Sequence, residues 1–320
     1  MKKELGIFVL LVLLCAVTGL QNPRFFSHAN LVNMANIIGL FGIFSLGAGL
    51  VIITSGIDLS VGSMIALIGM LLVMALTDWH WAWPLGVLFV VLVAMALGWA
   101  HGALITRFKM QPFIVTLCGL LLYRGIARFI ARDTTKGFGS DQEFTTLRSL
   151  TSGSLFGLPM PFVLLIIISV ILWVVLHRSV YGRYLLAVGR NEEAARFSGI
   201  NTRLVIASSY VIAGLLTGIS AILFGFYTNS VSPSTHGNFY ELYGIAAAVL
   251  GGCSLRGGEG SIIGILIGVA LLQVLQNLVN LLGIPSSLNF AVMGAVVLIG
   301  VLADQIFKNR AAKKIARQPK

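Results

Sequence analysis

Long apolar runs alternate with short polar breaks along this chain. The breaks divide it into ten segments, roughly 5–20, 31–53, 61–76, 81–105, 110–130, 161–177, 204–226, 240–254, 261–282 and 287–303. A helix needs about 20 apolar residues to cross a bilayer, and these runs are of that order. Strands so uniformly apolar would lack the in–out alternation of a membrane barrel, so helices are implied. The expectation is an all-α polytopic transmembrane bundle of about ten spans, forming a single domain over residues 1–320. Two polar stretches are long enough to be surfaces: 131–160, rich in Gly, Ser and Thr, and 177–203, "HRSVYGRYLLAVGRNEEAARFSGINTR".

The run from Leu31 to Leu76 holds 46 residues and one charge, Asp58. It is too long for one span and right for two, and Asp58 falls where two antiparallel spans would turn. Gly56 loosens the first helix, and Asp58 and Ser60 can each cap a second helix beginning near Val61. Such a cap contributes ~1 kcal/mol. A part in an inner gate is the other reading of Asp58 and Ser60, and the sequence leaves both open.

Composition sharpens the class. Hydrophobic residues make up 57% of the chain and charged residues only 10%, against ~25% charged in water-soluble domains. The net charge of +11 would suggest nucleic acid in a soluble protein. Here it reads as topogenic, because cytoplasmic loops of membrane proteins collect Lys and Arg. With both termini inside, 16 of the 22 basic residues lie in the cytoplasm and 6 outside. Inverting the chain reverses that ratio, so N-in and C-in is expected. The segment 131–160 is then external and 177–203 cytoplasmic. The start "MKKELGIFVLLVLLCAVTGL" imitates a secretory signal without an A-x-A cleavage site and reads as an uncleaved first span. Cys15, Cys118 and Cys253 show no metal-ligand spacing.

No Walker A loop, H-E-x-x-H helix or paired-cysteine pattern occurs, so neither ATP nor a metal is expected on this chain. The ionisable residues inside the runs (His101, Arg124, Arg128 and Glu241) lie near predicted helix ends and read as snorkelling or interface contacts. In "LLQVLQNLVNLLG", Gln273, Gln276, Asn277 and Asn280 fall at i, i+3, i+4 and i+7, on one helical face. Lipid cannot satisfy amides, so this face meets protein or water. It either bonds to another helix or walls a path for a polar, uncharged solute. Gly264 and Gly268 form a small-xxx-small pair suited to close helix packing, with Gly244, Ala248 and Gly252 before it. Two Gly/Ser-rich turns before apolar helices, Ser55–Gly69 and Gly251–Gly268, hint at an internal repeat.

In the inner loop, Asn191 can cap a short helix carrying Glu192, Glu193, Ala194 and Ala195, with Gly199 after it. Together, "SGIDLSVGSMIAL", "GRNEEAARFSGIN" and "ELYGIAAAVLGGCSLRGGEGSIIG" resemble the three characteristic stretches of permease subunits of monosaccharide ABC importers, the ribose, xylose and galactose type. The resemblance runs from about Leu31 to Asp304. It departs locally at Cys253 and Arg256, where many relatives carry smaller residues. The resemblance implies a multi-pass subunit of the bacterial inner membrane that pairs with a second copy. It also implies a cytoplasmic ATP-binding subunit, which holds ATP and Mg, and a periplasmic sugar-binding protein. Asn191 to Gly199 would be the segment that couples to the ATPase. A monosaccharide, above all a pentose such as ribose, is the expected cargo. A sugar-derived signal or an amino acid is the alternative within the family. An ion-coupled secondary carrier is the alternative outside it, opposed by the scarcity of mid-span acids.

Overall fold

The computed structural model describes residues 2–139 and 144–285, with a few isolated positions between 288 and 298. The tenth expected segment, 287–303, and the basic tail after it lie outside this range, apart from those isolated positions.

Twelve helices make up most of the described chain: α1 (Lys2–Gln21), α2 (His28–Ile53), α3 (Val61–Val73), α4 (Trp83–Arg107), α5 (Pro112–Ala131), α6 (Thr145–Ser152), α7 (Met160–His177), α8 (Val180–Arg190), α9 (Glu192–Phe197), α10 (Thr202–Thr228), α11 (Tyr240–Leu250) and α12 (Ile262–Leu281). Eight of them are long and apolar enough to cross a membrane, α3 counting with the wider π turn Met74–Asp78 that continues it. The eighth expected span is the exception. Of its fifteen residues only Tyr240–Leu250 are helical, too few to cross a bilayer alone.

Helices α2, α3, α10, α11 and α12 form the centre. The window of α2 is 83% buried in protein and that of α1 only 6%, so α1 lies at the rim with its apolar side chains turned outward. Small residues bring the central helices together. A Cβ on Gly98 would sit 2.3 Å from the carbonyl oxygen of Tyr210, which is why α4 can lie directly on α10. On α12, a Cβ at Gly268 would fall 2.1 Å from the Ala247 carbonyl of α11. The small-xxx-small pair thus serves close backbone packing.

Two central helices are broken. The chain leaves α2 at Ile53 and runs non-helically to Val61, and it leaves α10 at Thr228 and runs to Tyr240. The second segment reaches deep into the bundle: Arg124, midway along α5, donates to the carbonyls of Pro233 (3.1 Å) and His236 (2.8 Å). There the first turns of α3 and α11 meet, with a virtual Cβ on Gly62 only 2.1 Å from the Gly237 carbonyl. The two Gly/Ser turns that hint at an internal repeat lie in contact with each other. Ser55 Oγ donates to the Arg256 carbonyl (2.9 Å), and Gly258 N–H to that of Ile53 (2.8 Å). The elements that correspond in shape are α2–break–α3 and α10–break–α11.

The segment between α5 and α7 folds over the far end of α10. Its strand β1 (Lys136–Gly137) pairs antiparallel with β4 (Ser230–Val231), and β2 (Ser154–Leu155) with β3 (Leu158–Pro159) makes a hairpin. Phe138 is fully buried and stacks on Phe226, centroids 4.3 Å apart. Lys136 also binds Asp78 at the end of the π turn.

Candidate functional site

The four amides of α12 all line one cavity of about 370 Å³ between α2, α10, α11 and α12. Its other polar lining includes Asn33 and Asn238, and a cluster of rings forms one wall. Phe41 packs against Phe224 (5.3 Å), Tyr240 (4.8 Å) and Tyr243 (5.2 Å between centroids). Asn277 exchanges two hydrogen bonds with Asn30 of α2, at 2.8 and 3.2 Å. Gln273, Gln276 and Asn280 have no side-chain hydrogen-bond partner among the described residues. The face therefore divides. Asn277 ties α12 to α2, and the other three amides present donors and acceptors to the cavity.

Among the described residues, no Asp, Glu, Lys, Arg or His lines this cavity. Unpaired amides beside aromatic faces suit a solute that is polar on its edges, apolar on its faces and uncharged. The α2 contribution was missed in the sequence, yet its signal was present. In "ANLVNMANIIG", Asn30, Asn33 and Asn36 recur every third residue, the helical spacing that exposed the α12 stripe.

Asp58 and Ser60 lie elsewhere, at the start of α3. Asp58 is 4% exposed and Ser60 fully buried, so Asp58 is enclosed by protein and not set in an open turn. Its carboxylate accepts from Ser60 N–H (2.9 Å) and Ser60 Oγ (2.7 Å). Ser60 therefore does not cap α3 with its side chain; the hydroxyl is committed to Asp58. Around them, His101 Nε2 pairs with the Tyr123 hydroxyl (2.8 Å) and Tyr210 donates to the Ile57 carbonyl (3.1 Å).

Glu241, 7% exposed, lies against Gly62 and within electrostatic reach of Arg124. His101 and Glu241, read from sequence as interface contacts, are thus interior groups. The reason is the two helix breaks. Two N-termini meet head to head, and each brings the positive end of a dipole. Asp58 and Glu241 place carboxyl oxygens, which accept hydrogen bonds, beside this junction. Arg128, by contrast, is exposed and pairs with Asp133, whose carboxyl it holds below the ordinary range.

Beside the α2–α3 break, Asn191 Oδ1 accepts from Ala194 N–H (2.9 Å) and caps α9. Glu192 accepts from Thr202 at the start of α10 (3.1 Å), and Glu193 is exposed. Ala195 is buried beneath them, and Gly199 ends the turn with φ +84°. Ser55 Oγ donates to the Gly189 carbonyl (2.9 Å), which fastens this loop to the α2–α3 break. Burial pushes the Cys253 thiol up to about 12, so it is an inert side chain. Among the described residues no three His, Cys, Asp or Glu side chains gather as around a metal ion.

A bundle of membrane-length helices, broken at its centre around an uncharged amide-lined cavity, defines a membrane transport protein for a polar solute. The family described as "Branched-chain amino acid transport system / permease component" matches residues 30–301, and the chain belongs to it. It is 37% identical to the ribose import permease of Bacillus subtilis over 310 residues, 95% of this chain and 93% of that one. The ribose import permease of Escherichia coli is also 37% identical, with 92% of each chain covered. The L-arabinose ABC transporter permease of Azospirillum brasilense is 32% identical, covering 97% of this chain and 90% of its own. No solved structure matches. The chain is a multi-pass transport subunit of the inner membrane.

Proposed function

We propose that this chain is the membrane subunit of an ATP-driven importer for a neutral monosaccharide, a pentose such as ribose in the first instance. The observation that carries this reading is the cavity whose described lining holds no charge, where Gln273, Gln276 and Asn280 lack partners among the described residues and aromatic rings stand opposite. A free amino acid would bring a buried ammonium and carboxylate, and the described lining offers no opposite charge to either. The sugar is favoured over the amino acid of the family's description for that reason. The relatives' names, ribose and L-arabinose among them, support the same choice.

ATP hydrolysis belongs to a separate cytoplasmic chain in this reading, and α8–α9, with Asn191 to Gly199, is the part that docks with it. Both termini are cytoplasmic, a second copy completes the pore, and an external binding protein delivers the sugar. Asp58 holds the start of α3 and acts on transport only through that helix. The test is uptake in cells lacking their own ribose importer and supplied with this chain, its ATPase and its binding protein. Saturable D-ribose uptake that survives a protonophore and stops on ATP depletion is expected. Uptake of leucine in place of D-ribose would overturn the substrate, and collapse with the protonophore alone would overturn the energy source.

A further inference from the structure

A second cavity, of about 400 Å³, adjoins the first. Both are lined by Asn33 and Tyr227. The second lies beside the start of α2, the end of α10 and the segment that folds over α10. It is therefore nearer the end of the bundle that carries the 132–159 segment. Its polar lining is Asn33 and Asn36 from α2, with Thr151, Ser152 and Ser154 from α6 and β2. Thr151 Oγ1 is spent on the Leu147 carbonyl (2.8 Å). Asn33, Asn36, Ser152 and Ser154 have no side-chain hydrogen-bond partner among the described residues. Like the first cavity, it is lined by no charged side chain among the described residues.

Asn30, Asn33 and Asn36 thus form a ladder along α2. Asn30 is bonded to Asn277, Asn33 touches both cavities, and Asn36 touches only the outer one. An isolated vestibule needs only to be wet. A row of unpaired amides that continues the inner cavity's chemistry, and shares a residue with it, offers a polyol the same bonds twice in succession.

We propose, on the strength of the sugar-importer reading above, that the outer cavity is a second binding station for the same neutral sugar. A sugar entering from the 132–159 end binds first to Asn36, Ser152 and Ser154. It then passes Asn33, which serves both stations, to Gln273, Gln276 and Asn280. The outer station has fewer rings and more hydroxyls than the inner one, so it holds the sugar in a wetter and weaker site.

The experiment uses right-side-out vesicles carrying the permease and its ATPase without the binding protein. Cys15, Cys118 and Cys253 are replaced by Ser, and one cysteine is introduced as Ser152→Cys or Gln276→Cys. A small methanethiosulfonate reagent modifies each, with D-ribose as the probe and L-leucine as the control. At ten times its half-saturating concentration, D-ribose should slow both reactions about tenfold, by occupancy alone. Adding Asn36→Leu should remove protection at Ser152→Cys and keep it at Gln276→Cys. Protection at Gln276→Cys only would overturn the outer station and leave the sugar reading standing. Protection at neither position would overturn both. Protection at Ser152→Cys that survives Asn36→Leu, or a Ser152→Cys that no reagent reaches, would also overturn the station.

Discussion

Replacing Asp58 separates the two roles open to it. In Asp58→Ala, the N–H and the hydroxyl of Ser60 both lose their acceptor in a fully buried setting. Each buried polar group left unpaired costs roughly 1–3 kcal/mol, and the hydroxyl can rotate to a new partner, so a loss of about 2–4 kcal/mol is expected. Asp58→Asn keeps an oxygen in the same place and caps a turn as well as Asp, so it should cost about 1 kcal/mol or less. The structure supplies its own reporter in Cys253, which is 3% exposed. With Cys15 and Cys118 changed to Ser, a maleimide dye that fluoresces on reaction reads the thermal exposure of Cys253 in detergent. The Ala variant should melt well below the parent, and the Asn variant close to it with uptake retained. An Asn variant as unstable as the Ala variant would refute the turn argument and show that the charge itself holds the junction. An Asn variant of full stability without uptake would give Asp58 a direct part in the gate.

The inner cavity should respond to its amides: Gln273→Leu with Asn280→Leu should leave insertion intact and lower D-ribose uptake about tenfold, ~1.4 kcal/mol in the barrier, whereas unchanged uptake would reduce the amide face to packing. Asn277→Leu alone removes both bonds to Asn30 and should cost about 1 kcal/mol, at ~0.6 kcal/mol for an average interhelical hydrogen bond in a membrane, read as a small drop in melting temperature. Gly268→Val places a side chain on the Ala247 carbonyl, and overpacking of this kind costs about 1–3 kcal/mol, so the yield of folded protein should fall. A cysteine at Phe156, 97% exposed, should react with an impermeant maleimide in intact cells and one at Ser198 should not; the reverse would invert the orientation. Native Cys253 should stay unmodified by N-ethylmaleimide at pH 8 in the folded protein, since its protonated, buried thiol is a poor nucleophile.

What the sequence revealed followed from local patterning. Span limits emerged within a few residues because apolar runs and their breaks are properties of consecutive positions. The α12 stripe was visible because its amides share one helix. Asn191 was legible as a cap because its bond closes within three residues. Contacts made over long separations were not legible. Nothing near His101 announces Tyr123 across 22 residues, and nothing near Gly62 announces Gly237 or Glu241. Those pairings depend on where two broken helices meet, which no single stretch encodes. The shortness of α11 had a signal in the brevity of its run, but the descent of 229–239 into the bundle had none.

The joint between α8 and the α2–α3 break has a mechanical consequence. The single hydroxyl hydrogen of Ser55 is shared between the carbonyls of Gly189 of α8 and Arg256 before α12, while Gly258 N–H donates to Ile53 at the end of α2. The acceptors in all three bonds are main-chain carbonyls, and a Cβ on Gly189 would lie 1.8 Å from the Ile53 carbonyl. There is no slack at this point for one strand to slide past another. A push that tilts α8 and α9 therefore levers the near ends of α2 and α12 together. These two helices carry the facing amide rows near their opposite ends, so any displacement of this joint would alter the gap between the rows.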